Sequence, residues 1–141
     1  MTSVRKIHVL EDDSDRRKRM TVQLGELDPS IRAIMSLTAP AFIRDSDNYC
    51  NATCLISLDH DLEATIDESD PGDGLQVAEF LAARKPICPV IVHSSNVERA
   101  DLMIYLLRNT GWNVERVAPI GKDWIETSWR VEVQKLLAVC A

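Results

Sequence analysis

The sequence lacks any long apolar run, and no stretch approaches the ~20 apolar residues that a membrane-spanning helix needs. Its first residues lead directly into a short strand-like segment, without the apolar core of a secretory signal peptide. We therefore expect a cytoplasmic protein that does not bind to a membrane.

Excess positive charge is also lacking. Lys and Arg total 16 against 22 Asp and Glu, which gives a formal net charge of −6. This balance argues against the basic surface on which nucleic-acid binding depends, so no direct nucleic-acid binding is expected. One basic cluster, residues 16–19, follows Asp12 and Asp13 on a predicted helix and is interpreted as a solvated face.

Cysteine occurs four times, and its spacing indicates neither a disulfide framework nor a zinc site. Cys50 and Cys54 have no second cysteine pair and no histidine at a spacing typical of zinc ligands. Cys88 and Cys140 lie in apolar runs and are predicted to be small core residues.

Short apolar runs alternate with longer amphipathic stretches along the whole chain. The runs predicted as strands are 4–10, 31–37, 54–58, 89–92 and 112–117. A helix-like stretch follows each of them, and Ser14, Thr38 and Asn96 are candidate N-caps. This alternation predicts a single α/β domain over residues 1–141, a flavodoxin-like, doubly wound, five-stranded parallel sheet with helices on both faces.

The last predicted helix carries four apolar residues at helical spacing, namely Ile125, Trp129, Val133 and Leu136. They are expected to pack in the core or to form the contact face of a homodimer.

Polar residues follow four of the predicted strands, at the edge where an open parallel sheet binds its ligands. They are Glu11, Asp12 and Asp13; Asp59, His60 and Asp61; His93, Ser94, Ser95 and Asn96; and Lys122. Carboxylates placed close together repel one another, and a bound cation removes that cost. Oxygen ligands suit Mg²⁺, and the two neighbouring histidines make Mn²⁺ a second choice.

The order of these motifs resembles the receiver domains of response regulators. Receivers carry an acidic pair after the first strand, a phosphoacceptor aspartate after the third, a small hydroxyl residue after the fourth, and an Asp-Gly pair at the third helix. The matching residues here are Glu11 and Asp12, Asp59, Ser94, and Asp73-Gly74. The resemblance covers nearly the whole chain and implies a CheY-like fold and a phosphodonor or phosphate-containing ligand.

Two features depart from ordinary receivers: the segment 62–72 is long and acidic, and Lys122 is displaced from the end of the fifth strand. A narrower group, the cyclic-phosphate-processing receiver domains, is similar in these respects. The residues that carry this similarity are 59–62, 70–74, 93–96 and 111–112. This resemblance implies hydrolysis or other processing of a cyclic phosphate.

The first hypothesis is therefore a metal-dependent phosphohydrolase that acts on a phosphate-containing small molecule. The predicted ligands of Mg²⁺ or Mn²⁺ are Glu11, Asp12, Asp59 and Asp61. The predicted catalytic residues are Asp59, as nucleophile or only as metal ligand, His60 and His93 as general acid or base, and Ser94. The predicted phosphate-binding residues are Ser94, Ser95, Asn96 and Lys122.

The second hypothesis is a stand-alone switch, in which Asp59 accepts a phosphoryl group, Ser94 senses it, and the protein signals through a partner or by dimerising. The extra carboxylate of Asp61 would repel a phosphoryl dianion, which favours catalysis over switching. A third reading, a phosphatase of the haloacid-dehalogenase type, fits the Asp-x-Asp form of residues 59–61. In that family the motif ends the first strand, so Glu11 would have no role.

Overall fold

Five parallel strands and five α-helices alternate along the part of the chain that the computed structural model describes, residues 5–49, 52–64 and 69–139. The strands are β1 (Lys6–Leu10), β2 (Arg32–Ser36), β3 (Thr53–Leu58), β4 (Val90–Val92) and β5 (Val114–Arg116). The helices are α1 (Ser14–Leu27), α2 (Ala39–Tyr49), α3 (Gly74–Ala82), α4 (Val97–Asn109) and α5 (Arg130–Val139). Cys50 and Cys140 lie outside the described residues.

The strand order is β2-β1-β3-β4-β5, and every pair is parallel. This is the flavodoxin-like order, so the predicted fold is confirmed. All six residues of the central strand β3 are buried, as expected for a parallel strand with helices on both faces.

Alternate side chains of each strand enter two separate cores. Ile56 and Leu58 of β3 pack with α2, α3 and α4 on one face, and Leu55 packs with α1 and α5 on the other. The four apolar residues predicted to form either core or dimer face, Ile125, Trp129, Val133 and Leu136, lie in the second core. Cys54 is buried there, and Cys88 packs against the first core.

Helix caps follow the sequence at two predicted positions out of three. Thr38 Oγ1 accepts a hydrogen bond from the Ala41 N–H, and Asn96 Oδ1 accepts one from the Arg99 N–H. The Ser14 prediction is wrong, because Asp13 has the extended backbone of a cap and its carboxylate accepts from the Arg16 N–H.

A π-helical segment, Ile125–Trp129, precedes α5 without a break. Its wider turns place Ile125 and Trp129, both fully buried, on the same side of the segment against the second core. Among the described residues, no helix has the length and apolarity that crossing a membrane requires.

Candidate functional site

The backbone hydrogen bonds of the sheet continue one residue past the strands at their carboxyl ends. Asp59 N–H donates to the Leu10 carbonyl, His93 N–H to Leu58, and Val117 N–H to Val92, each at 2.9–3.1 Å. This continuation places Glu11, Asp59 and His93 next to one another at the ends of three adjacent strands. The convergence expected from the strand order therefore arises from main-chain pairing.

An acidic cavity of about 310 Å³ opens above this edge. Its lining residues are Asp12, Asp13, Arg16, Asp59, Asp61, Leu62, Glu63 and Ser95. Five of the eight side chains are carboxylates, and one is a cation. The predicted residues Asp12, Asp59, Asp61 and Ser95 thus share one open volume, whereas Asp13 and Glu63 were not among the predicted ligands.

Glu11 lies beneath this cavity with no exposed surface. Its Oε1 is 3.2 Å from His93 Nε2, and its Oε2 accepts from the Asp13 N–H at 3.1 Å. Burial alone would raise the pKa of Glu11, but the hydrogen bonds with His93 and the Asp13 N–H and the nearby Arg16 charge outweigh it, so the pKa is lowered. Glu11 is therefore held as a carboxylate.

His93 is also fully buried, and its partners fix which nitrogen carries the proton. Trp129 Nε1 can only donate, and it donates to Ser57 Oγ at 3.0 Å. The Glu11 carboxylate can only accept, so His93 Nε2–H donates to it, and Nδ1 is assigned as the acceptor of the Ser57 hydroxyl at 2.6 Å. This assignment from the hydrogen-bond network gives a wire of four side chains that ends on a carboxylate.

Asp59 is 6% exposed and faces the cavity. Its Oδ1 accepts from the His60 N–H at 2.8 Å. Burial, with the nearby Glu11 and Asp12 charges added, raises the pKa of Asp59 to about 6. Burial and Glu11 also raise the pKa of Asp12. The site thus pays an electrostatic cost for bringing its carboxylates together.

The long segment after β3 reaches the acidic pair directly. Glu63 N–H donates to Asp12 Oδ2 at 2.6 Å, and Gly74 N–H donates to the His60 carbonyl at 2.9 Å. A Cβ on Gly74 would come within 2.1 Å of the Asp59 carbonyl oxygen, so only glycine allows α3 to approach this closely. Residues 65–68 of the segment lie outside the described ranges.

His60 does not line the cavity. Its Nδ1 is 2.7 Å from Asp61 Oδ1, and its Nε2 is buried without a hydrogen-bond partner among the described residues, 3.8 Å from Asp73 Oδ2. Asp61 is largely exposed and lies 3.4 Å from Asn96 Nδ2. The structure therefore places His60 behind Asp61, and Asp61 in the cavity.

The segment after β4 divides its polar groups between the interior and the cavity. Ser94 is 1% exposed, and its Oγ accepts from the Asn96 N–H at 3.1 Å. Asn96 caps α4, and Ser95 is exposed and lines the cavity. Of the predicted phosphate-binding residues in this segment, Ser95 is the one that the cavity exposes.

Lys122 is exposed and is not among the residues that line the cavity. Its carbonyl oxygen accepts from Arg19 Nη2 at 2.7 Å, and its role in phosphate binding stays a prediction. The cation in the cavity lining is Arg16, which sequence reasoning had assigned to a solvated face. Its position in the first turn of the helix after β1 was the available signal, because that turn starts at the ligand-binding edge.

The donor set fits a hard divalent cation. Glu11, Asp59 and His93 bring potential ligand atoms within 4.8 Å of one another. Because His93 Nε2 carries a proton toward Glu11, the donors that remain are carboxylate oxygens, with Asp12 beside them. Mg²⁺ takes such oxygen ligands, and Mn²⁺ accepts them too.

Comparison with known proteins identifies one family and many solved structures that share one fold. The family model described as "Cyclic-phosphate processing Receiver domain" matches residues 7–109. No curated protein matches the chain.

Solved structures of receiver domains superpose well at low sequence identity. A response regulator receiver domain from Rhodospirillum rubrum has a TM-score of 0.70 at 15% identity, covering 95% of this chain and 94% of that chain. The response regulatory domain of mrkE from Klebsiella pneumoniae has a TM-score of 0.68 at 12% identity, covering 95% and 96%. The response regulator domain of Thermotoga maritima CheB has a TM-score of 0.66 at 14% identity, covering 96% and 98%. These likenesses show the fold.

Proposed function

Because the chain belongs to the family of cyclic-phosphate processing receiver domains, we propose that it hydrolyses a cyclic phosphate in the acidic cavity with the help of a divalent cation. The chain is a receiver domain of the response-regulator type, and the proposal concerns what its site does. The observation that carries it is the buried pair Glu11 and Asp59 beneath an open cavity lined by Asp12 and Asp61.

In this proposal Glu11, Asp12 and Asp59 hold Mg²⁺ or Mn²⁺, which would supply neutralisation of the charge on the phosphate oxygens. The wire from Trp129 through Ser57 and His93 keeps the Glu11 carboxylate ionised and fixed in direction. His93 is thus a positioning residue, because it is buried and does not reach the cavity.

Ring opening adds water across one P–O ester bond, so the hydroxyl goes to phosphorus and the proton to the released alkoxide. Asp61 is the exposed carboxylate best placed to carry that proton, and the His60 ring behind it supports the exchange through the 2.7 Å contact. Ser95, with Asn96 at the start of α4, contacts the phosphate oxygens. The Ser94 hydroxyl fixes the turn that orients Ser95 and Asn96 toward the cavity.

The cavity also restricts the substrate. Asp13, Asp61 and Glu63 surround the opening with negative charge. A second phosphate or a nucleic-acid backbone would meet repulsion there. We therefore propose a small substrate with one phosphodiester group, the rest of which is neutral or cationic.

The test is a panel of cyclic phosphates, including 2′,3′-cyclic nucleotides, incubated with Mg²⁺ or Mn²⁺ and analysed for ring-opened product. We expect product that disappears with EDTA and with Asp59→Asn. The matched control is Asp101→Asn, which removes one exposed carboxylate from α4 and should keep the wild-type rate. Absence of turnover on every compound would contradict the proposal.

The alternative is a receiver that is phosphorylated on Asp59 and signals through partner binding. It is favoured by the cavity position of Asp59 at the end of β3, next to the buried Ser94 turn at the end of β4. Incubation with acetyl phosphate and Mg²⁺, followed by intact-mass measurement, tests it. A stable adduct that is lost in Asp59→Asn, together with no turnover of cyclic phosphates, would favour the alternative.

A further inference from the structure

We propose that Arg16, which lies over the Trp124 ring, forms an anion-binding subsite in the cavity wall that binds the non-bridging oxygens of a single phosphate group. This inference rests on the proposed function, because it names the residue that would bind the phosphate of that same substrate. The juxtaposition that carries it is one guanidinium in a cavity where five of the other seven lining side chains are carboxylates.

The Arg16 guanidinium has unused donors. Its Nη1 lies 3.8 Å from Glu11 Oε1, beyond hydrogen-bond distance, and the guanidinium donates no hydrogen bond to any residue in the described part of the chain. About a third of its side chain is exposed. Five N–H donors in a planar fork are therefore available to a ligand.

Trp124 holds the guanidinium in place. The Arg16 guanidinium carbon lies 5.6 Å from the Trp124 ring centroid, and Trp124 is itself 4% exposed. The Trp124 ring also stacks near His93, with centroids 5.9 Å apart. An arginine over an aromatic ring keeps its charge, and its planar fork matches the two oxygens of a phosphodiester.

The neighbouring cations, residues 17–19, either pair with other protein groups or lie outside the cavity. Arg17 Nη1 donates to the Glu11 and Asp12 carbonyls, and Arg19 pairs with Glu126 at 2.7 Å. Lys18 is exposed and does not line the cavity. Of the four cations at residues 16–19, Arg16 alone lines the cavity.

One cation is present among the described residues that line the cavity, so it can bind one anionic group. The position after β5 that would face this edge is Ala118, so no lysine directly follows the strand. Lys122, further along the chain, does not line the cavity. Among the described residues that line the cavity, Arg16 is the cation that could donate to the phosphate oxygens, beside the neutral hydroxyl of Ser95. Arg–phosphate contacts are charge-assisted and often bidentate, which gives them both strength and direction.

The experiment measures phosphate and metal affinity separately. Inorganic orthophosphate is titrated calorimetrically into Mg²⁺-saturated wild type, Arg16→Met, Arg16→Lys and the matched control Lys18→Met, and Mg²⁺ alone is titrated into each. We expect Arg16→Met to weaken phosphate binding at least about tenfold, which corresponds to about 1.4 kcal/mol. Arg16→Lys should lose less, and Lys18→Met should match wild type.

Mg²⁺ affinity separates a phosphate-binding role from a structural one. We expect Arg16→Met to bind Mg²⁺ as tightly as wild type or more tightly, because a cation near Glu11 is gone. Equal phosphate affinity in wild type and Arg16→Met would overturn the subsite, and so would loss of Mg²⁺ and phosphate binding together. Quenching of tryptophan fluorescence by phosphate, lost in Trp124→Phe, would support the stacked geometry.

The two proposals fail differently. If the panel of cyclic phosphates shows no turnover while Arg16→Met still loses orthophosphate, the hydrolytic function is wrong and the subsite stands. If turnover occurs and Arg16→Met binds phosphate normally, the function stands and the subsite is wrong. If Mg²⁺-saturated wild type binds no orthophosphate, the subsite is overturned whatever the turnover.

Discussion

Two buried histidines, His8 and His93, lie on opposite faces of the sheet, and each contacts a serine. His8 Nε2 is 2.8 Å from Ser36 Oγ, and His93 Nδ1 is 2.6 Å from Ser57 Oγ. Their exposed fractions are 1% and 0%. Burial and hydrogen bonding alone therefore do not distinguish the two.

The direction of the hydrogen bonds distinguishes the two histidines. Ser36 donates to Asp45 at 2.9 Å, so it must accept from His8, whose ring stacks on Phe42 at 3.7 Å. Ser57 accepts from Trp129 and donates to His93 Nδ1, and the His93 Nε2–H donates to Glu11. The first network ends on a carboxylate remote from the cavity, and the second on one beneath it.

The largest effect should come from removing His93. His93→Leu leaves the Glu11 carboxylate buried without its main donor, which should lower the free energy of unfolding by about 3–5 kcal/mol. His8→Leu should cost only about 1 kcal/mol, because Ser36 keeps Asp45 as its partner. Urea unfolding at pH 7 measures the free energy of unfolding of both variants. Equal decreases in the two would contradict the difference between the His8 and His93 networks.

The pH dependence of stability isolates His8. Burial lowers the pKa of His8 to about 4, below its value of 6.5 in the unfolded chain. As pH falls below 6.5 the unfolded state gains a proton that the folded state refuses, so stability is lost progressively down to about pH 4, by up to about 3 kcal/mol. Thermal unfolding of Asp59→Asn between pH 7 and 5 should show this decline, and adding His8→Leu should flatten it.

Asp59 produces the opposite slope, so the His8 series is best measured in the Asp59→Asn background. The raised pKa of Asp59, about 6, means that ionisation opposes folding above that pH. Asp59→Asn should therefore stabilise the metal-free protein by about 2–3 kcal/mol at pH 7.5.

This gain should shrink as pH falls through the interval from 6 to 3.8, and it should vanish below, where Asp59 is protonated in both states. Asp101→Asn, on an exposed position, serves as the control and should change nothing. A lower melting temperature for Asp59→Asn in chelator at pH 7.5 would mean that Asp59 carries no electrostatic cost.

The sequence was sufficient for the fold and for four of the carboxylates of the site, but not for Asp13 and Glu63. Strict alternation of strands and helices determines which chain ends meet, so Glu11, Asp12, Asp59 and Asp61 could be located from strand ends alone. The inner wiring could not be predicted, because Ser57 lies within an apolar strand and Trp129 is 72 residues away. Both look like ordinary core positions until the two faces of the sheet are packed.

Arg16 was missed for a related reason. Four consecutive cations on a helix resemble a solvated face, and only packing shows that Arg17 and Arg19 are bound to the protein while Arg16 turns toward the cavity. The histidines show the same limit. The sequence predicts that His60 and His93 act on the ligand beside the acids. The structure buries both histidines, and Asp61 lines the cavity instead.

The most direct test of the account is the position of a divalent ion in crystals grown with Mn²⁺, located by its anomalous scattering. The account predicts a peak within coordination distance, about 2.0–2.3 Å, of Asp59 and of at least one carboxylate of the Glu11–Asp12 pair. An ion bound elsewhere, or no peak at saturating Mn²⁺, would contradict the claim that these carboxylates form a metal centre.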